Sequence, residues 1–98
     1  MKLEEKVYKK LVEVPTGMVT TYGELANAVG LRNGQRLIGR IMNKNPYPVI
    51  VPCHRVIKSD GKIGGYLWGE KIKINMLSKE GVKFKNGKII DQKKIYRF

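Results

Sequence analysis

Cysteine is nearly absent: Cys53 stands alone among 98 residues, which excludes an internal disulfide and leaves no thiolate set for a zinc site. Acidic side chains are scarce too, eight Asp and Glu against twenty Lys and Arg. No stretch approaches the roughly 18 apolar residues that span a bilayer, so no membrane role is expected. Glu4, Glu5 and Lys6 interrupt the Met1 end where a secretion signal would be apolar. The expected location is intracellular, cytoplasmic or nucleoid-associated. With four prolines, 42% hydrophobic and 29% charged residues, disordered and collagen-like classes fit poorly. The length suits one small domain over residues 1–98 and excludes a two-domain enzyme.

What is abundant is positive charge. A net charge of +12 attracts polyanions and repels itself in a compact state, so nucleic acid is the expected partner, bound by a monomer. The excess is uneven. Residues 1–34 carry five basic and four acidic groups, 35–68 six and one, and 69–98 nine and three.

Leu3, Val7 and Leu11, with Tyr8 and Val12 beside them, predict an amphipathic helix over residues 3–13, ended by Pro15-Thr16-Gly17. Thr21-Tyr22-Gly23-Glu24 has the form of a capping box. It opens a short second helix with Leu25, Ala28 and Val29 inward and Gly30 as its stop. Leu37, Ile38, Ile41 and Met42 predict a third helix, whose other face carries Arg36, Arg40 and Lys44 at four-residue steps. Two short helices and a tight turn match a helix-turn-helix, or equally an ordinary helical hairpin with a solvated basic face.

Asn45-Pro46-Tyr47-Pro48 must turn, and Val49-Ile50-Val51 reads as a short apolar strand. Ser59-Asp60-Gly61-Lys62 predicts a tight turn and Gly64-Gly65-Tyr66 a flexible return. Ile72, Met76 and Leu77 pattern a helix over residues 70–80, capped by Gly81, and Asn86-Gly87 within Val82–Ile89 signals a hairpin. The Lys-rich tail beyond reads as a solvated segment.

Cys53 beside His54 is the one pairing of nucleophile and base. On residue type alone, Cys53 reads more readily as a small buried hydrophobe and His54 as a core histidine bonded to backbone. Context changes that weighting. Pro52-Cys53-His54-Arg55-Val56, preceded by Asn45-Pro46 and Pro48 and followed by Gly65-Tyr66, resembles the active-site region of O6-alkylguanine-DNA alkyltransferases. The likeness runs in register from Thr21-Tyr22 and Glu24-Leu25-Ala26 through Arg36, Gly39 and Met42 to Glu80-Gly81, about sixty residues.

The resemblance implies a mainly α fold with short β elements, a helix-turn-helix (winged-helix-like) DNA-binding domain. It also implies a direct displacement in which Cys53 takes the alkyl group from O6 of a damaged guanine and keeps it, without turnover. His54 would act on Cys53 as a base through a water, with Glu80 polarising the histidine. Asn45 would hinge the recognition helix to the active-site loop. Tyr66 would protonate the departing guanine, supported by Lys73. The carbonyls of Cys53 and Val56 and the amide of Leu67 would contact the flipped base, with Met42 lining its pocket and Trp68 contributing to its volume. Flipping is required because the alkyl carbon is out of in-line reach inside a stacked duplex.

For DNA, the resemblance implies double-stranded DNA containing O6-alkylguanine, entered through the minor groove. Gly39 would permit close approach, Arg36 would replace the flipped nucleotide in the stack, and Tyr22 would push on the adjacent phosphate; Arg40 and Lys44 complete the basic face. No cofactor and no metal are expected, since the N-terminal domain that carries zinc in some members is expected to be missing. The end of the chain, Glu80 to Lys88, resembles alkyltransferase-like proteins, which bind the lesion without repairing it and typically have tryptophan where Cys53 stands. Cys53 and Gly65-Tyr66 favour the enzyme, a methylated-DNA–[protein]-cysteine S-methyltransferase. The alternative is a lesion-binding module that hands the base to a protein of another repair pathway.

Overall fold

The computed structural model describes residues 1–98. Helix α1 spans Leu3–Leu11, with Glu4 and Glu5 in its first turn and Lys9 and Lys10 in its last, each charge suited to its end of the helix dipole. Val7 and Leu11 are fully buried, each contributing roughly 1.5–3 kcal/mol by removing apolar surface from water. Val12, expected inward, is the helix cap and is exposed.

Strand β1, Thr20–Thr21, runs directly into helix α2, Tyr22–Ala28. Thr21 Oγ1 accepts the Glu24 amide at 3.0 Å, half of the expected capping box. The return bond is not made, because Glu24 faces Arg97 at 3.6 Å instead. The inward residues of α2 are Leu25 and Ala26, and Ala28 and Val29 are only partly buried. Helix α3, Gln35–Asn43, buries Ile38, Ile41 and Met42 against this core. Leu37, expected in the same stripe, lies largely in solvent. Arg36, Arg40 and Lys44 are all exposed, Lys44 as the residue that ends the helix.

Residues 49–51 are not a strand. Val51 N–H donates to the Tyr47 carbonyl at 2.8 Å, closing a tight loop, and Val49 sits at φ +77°. That left-handed conformation is costly for a β-branched residue. Only Val51 is buried; Val49 and Ile50 face solvent. The apolar run misleads because Pro46 and Pro48 on either side of Tyr47 force a turn that no apolar pattern can straighten.

Cys53–Arg55 form a single 3-10 turn, after which strand β2, Val56–Ile57, pairs in parallel with β1. Helix α4 spans Glu70–Lys79 and ends at Glu80, followed by Gly81 at φ +93°. Its buried side chains are Lys73 and Leu77. Ile72, expected inward, is exposed. Strands β3, Phe84–Lys85, and β4, Lys88–Ile89, form the expected hairpin over Asn86-Gly87, both at positive φ as a primed turn demands. The tail is not loose: Val19 bridges Ile95, and Thr20 Oγ1 donates to the Tyr96 carbonyl at 2.9 Å. Two apolar clusters result, one among α1, α2, α3 and the Cys53 turn, the other around Val19, Ile57, Leu77 and the hairpin.

Candidate active site and nucleic-acid interface

Pro52 cannot continue a ladder and hands the chain to the 3-10 turn, so Cys53 and His54 are not the outward and inward neighbours of a strand. Both are buried. Cys53 packs in the cluster with Met42, Val51 and Val56. Asn45, also buried, ties the preceding loop: its Nδ2 donates to the Val51 carbonyl at 2.9 Å, while its Oδ1 accepts the Tyr47 amide at 2.9 Å. Asn45 thus lies between the end of α3 and the turn that carries Cys53.

His54 Nε2 lies 2.8 Å from Glu80 Oε2. Burial alone would raise the Glu80 carboxyl, but hydrogen bonds from Arg55 and His54 outweigh it and hold the group below its usual range. Glu80 is therefore ionised, so Nε2 carries the hydrogen and donates it. Nδ1 is left as the acceptor, buried and without a partner in the protein. Burial also lowers His54 against the opposing pull of Glu80, so the ring is neutral at rest. A neutral imidazole with one nitrogen fixed on a carboxylate and the other free is able to accept a proton.

Arg55, which carries no expected role in the sequence, holds this pair in place. Its Nε donates to Glu80 Oε1 at 2.9 Å and one terminal nitrogen to Oε2 at 3.2 Å. That same terminal nitrogen also donates to Thr16 Oγ1 and the other one to the Val14 carbonyl, each at 3.0 Å. The one signal that could have found it is its place next to the only histidine.

Lys73 is fully buried, its Nζ donating to the carbonyls of Val56 at 2.6 Å and Gly65 at 2.9 Å. Its contact nearest Tyr66, which the resemblance implied it would support, is the carbonyl of the preceding residue, Gly65. Burial drops its pKa to about 8. The Val56 carbonyl thus already serves Lys73, and the Cys53 carbonyl accepts the Val56 amide in the turn. Burial raises the Cys53 thiol; the nearby Asn45 amide, its own backbone and the charge of Lys73 pull against that rise. The Tyr66 hydroxyl is buried without a partner, and its pKa is pushed up to about 12 by burial and by Cys53, so at neutral pH it keeps its proton. Its ring packs edge-on against His54 at 6.5 Å and Trp68 at 5.8 Å. Leu67 packs on the Cys53 cluster, and Trp68 is half exposed.

A separate groove of about 550 Å³ runs between α3 and the 58–65 loop, walled by Tyr22, Arg36, Gly39 and Lys58 among others. Cys53 is not on its wall. A side chain at Gly39 would meet nothing within 4 Å, so the helix there is open to a partner. Gly64 sits at φ +72°, a conformation that favours glycine, and a Cβ there would lie 3.4 Å from the Tyr22 ring. Arg36, Gly39 and Tyr22 are thus brought together, whereas none of Cys53, His54, Glu80, Asn45 and Lys73 lines that groove. No cluster of His, Cys, Asp or Glu that could hold a metal is present, and no helix is long and apolar enough to cross a membrane.

Residues 2–82 match the model of the 6-O-methylguanine DNA methyltransferase DNA-binding domain. A methylated-DNA–protein-cysteine methyltransferase of Thermococcus sibiricus is 52% identical over 81 residues, covering 82% of this chain and 45% of that protein. The chain spans half or less of the length of such methyltransferases. Mycobacterium tuberculosis OGT in complex with DNA superposes with a TM-score of 0.79 at 37% identity, over 83% of this chain and 49% of that one. S. pombe Atl1, solved with damaged DNA containing O6-carboxymethylguanine, superposes over all of both chains with a TM-score of 0.85 at 30% identity.

Proposed function

The chain belongs to the 6-O-methylguanine DNA methyltransferase family through its DNA-binding domain, and from that premise we propose that it repairs O6-alkylguanine in duplex DNA by moving the alkyl group onto Cys53. Residues 1–98 act as one unit, binding as a monomer. Helix α3 enters the minor groove with Arg36, Arg40 and Lys44, where little sequence is read, and Tyr22 presses on the phosphate beside the lesion. Arg36 takes the place of the flipped base. Cys53 is 3% exposed, so the base reaches it only as side chains of its apolar cluster, which includes Met42 and against which Tyr66 and Leu67 pack, give way. Val56 and Trp68 border the space so formed.

The chemistry is a single displacement. His54 Nδ1 takes the Cys53 proton through a water, and the imidazolium is stabilised by Glu80. The thiolate attacks the alkyl carbon, the C–S bond forms as the C–O6 bond breaks, and the electron pair leaves on guanine. Tyr66 supplies a proton to that guanine, and the proton taken from Cys53 restores the phenol through the relay. Lys73 ties the Val56 carbonyl, after the Cys53 turn, to the Gly65 carbonyl, before Tyr66, and favours the thiolate by its charge. No cofactor enters. The supporting observation is the histidine that follows the only cysteine in the turn, one ring nitrogen held on an ionised Glu80 and the other buried without a partner.

A second reading, a lesion-binding module that recruits another repair protein, draws on the full-length likeness to S. pombe Atl1. Intact mass after incubation with duplex containing O6-methylguanine separates the two. The expected result is one methyl group per molecule, on Cys53, with excess lesions left unrepaired. Cys53→Ser should gain nothing yet still prefer damaged duplex, because a hydroxyl is a far weaker nucleophile than a thiolate. Tight lesion binding by reduced protein whose mass never changes would sink the enzyme reading and leave the module.

A further inference from the structure

The hairpin β3–β4 lies beyond the residues that match the family, and it takes no part in the transfer chemistry. Lys62 pairs with Lys88 in an antiparallel bridge, and Lys88 pairs with Lys85 across the hairpin. Residues directly opposite on antiparallel strands share a face, so three lysines stand side by side. The neighbouring row faces the core: Phe84 is opposite Ile89, Ile89 N–H donates to the Gly61 carbonyl at 2.8 Å, and Ile63 and Ile89 are buried. The lysine row therefore points outward, and all three residues are exposed. Lys58 extends it, its amide donating to the Lys62 carbonyl at 2.9 Å across the Ser59–Gly61 turn. At the usual spacing between strands the four span about 14 Å.

Like charges directly opposite each other destabilise a sheet, and none of these lysines is in an ion pair. The acids that face them are Asp60, whose Oδ1 is taken up by the Lys62 amide at 3.0 Å, and Glu70, across a shallow groove of about 340 Å³ that Lys58, Lys62 and Gly87 also line. That shallow groove and the larger one beside α3 share Lys58, Gly64 and Gly65. Basic side chains thus follow one another from Arg36 on α3 through Lys58 and Lys62 to Lys88 and Lys85 at the hairpin, with Asp60 and Glu70 beside them. Such a row is unfavourable in the free protein and becomes favourable against a polyanion laid along it.

We infer that Lys58, Lys62, Lys88 and Lys85 form a second grip on DNA, a wing that holds backbone phosphates of the duplex seated on α3. The inference rests on the DNA-binding reading above. It is tested by the salt dependence of binding to undamaged duplex, with no transfer chemistry involved. In the full chain, Lys62→Gln, Lys85→Gln and Lys88→Gln together should lower the slope of log affinity against log salt by about 2 to 3, near 0.9 for each phosphate no longer neutralised. The corresponding triple Arg variant should keep the wild-type slope, because charge rather than shape is required. Lys2→Gln just before α1, with Lys6→Gln and Lys9→Gln on it, removes the same net charge and should leave the slope close to wild type. A ladder variant with an unchanged slope, or an α1 control that falls as far, overturns the wing. If Arg40→Gln lowers the slope while the ladder variant does not, the wing fails and DNA binding by α3 stands. If the wild-type protein binds no duplex, both fall.

Discussion

Lys73 is the side chain with most to lose by folding. Taking an ammonium out of water costs several kcal/mol even after relaxation, and two carbonyls, of Val56 and Gly65, offset it. The remaining penalty appears as a pKa of about 8 against 10.5. Between those values the unfolded chain binds a proton that the folded chain does not, so this group's contribution to stability rises with pH. Cys53 and Tyr66, raised by burial, act in the opposite sense, which makes a difference measurement necessary. Denaturant unfolding of wild type and Lys73→Met should show the wild type gaining up to about 3 kcal/mol on the variant from pH 8 to 10.5. A gap that does not change with pH would mean that Lys73 titrates alike in the folded and unfolded chains and bears no burial penalty. The sequence showed a lysine in a helix whose apolar stripe ran through Ile72 and Met76. Its inward turn was not legible from spacing, which ranks residues by hydrophobicity and cannot see two carbonyls waiting for a donor; only the family resemblance had set Lys73 beside Tyr66.

At the scale of elements, the site depends on a junction that sequence periodicity does not describe. Arg55 joins three segments: the Val14–Thr16 connector after α1, its own 3-10 turn, and the end of α4 at Glu80. A carboxylate at a helix C-terminus opposes the helix dipole, and the fork of Arg55 compensates for it. Removing the fork leaves Glu80, which is 18% exposed, with His54 as its one remaining hydrogen-bond donor. Arg55→Ala should therefore cost about 3 kcal/mol, lowering the melting temperature by more than about 10 °C, and should slow transfer because Glu80 loses its orientation. Arg55→Lys keeps the charge without the planar fork and should fall between. A melting curve of Arg55→Ala matching wild type would show the clamp to be idle. The helices were legible from their stripes and caps, and the hairpin from Asn86-Gly87. The strand expected at Val49–Val51 was not there, since an apolar triplet is ambiguous and the flanking prolines decide it. The tail's return to Val19 is a long-range pairing of Ile95, invisible to any local pattern.

For the whole molecule, the charge count and the basic face of α3 were plain in the sequence, but the second row was not: only the pairing of Lys62, Lys88 and Lys85 assembles it. A net charge of +12 makes the compact state repel itself. The exposed ion pairs that could offset this are few and long, Lys10 with Glu13 and Arg97 with Glu24, both at 3.6 Å, and such pairs contribute little. Salt weakens repulsion and surface pairs alike, with a screening length of about 10 Å at 0.1 M, so the larger quantity decides the sign. The Arg55–Glu80 clamp is partly buried and less screened. Melting temperature should therefore rise from low salt to about 0.1 M, over the same range in which duplex affinity falls as counterions compete for phosphate. Thermal melts of the free protein and duplex titrations in matched buffers check both signs at once. A melting temperature that falls with salt would mean that local attractions, rather than the summed field of the lysines, govern the fold, and the electrostatic account of both stability and DNA binding would need a different source.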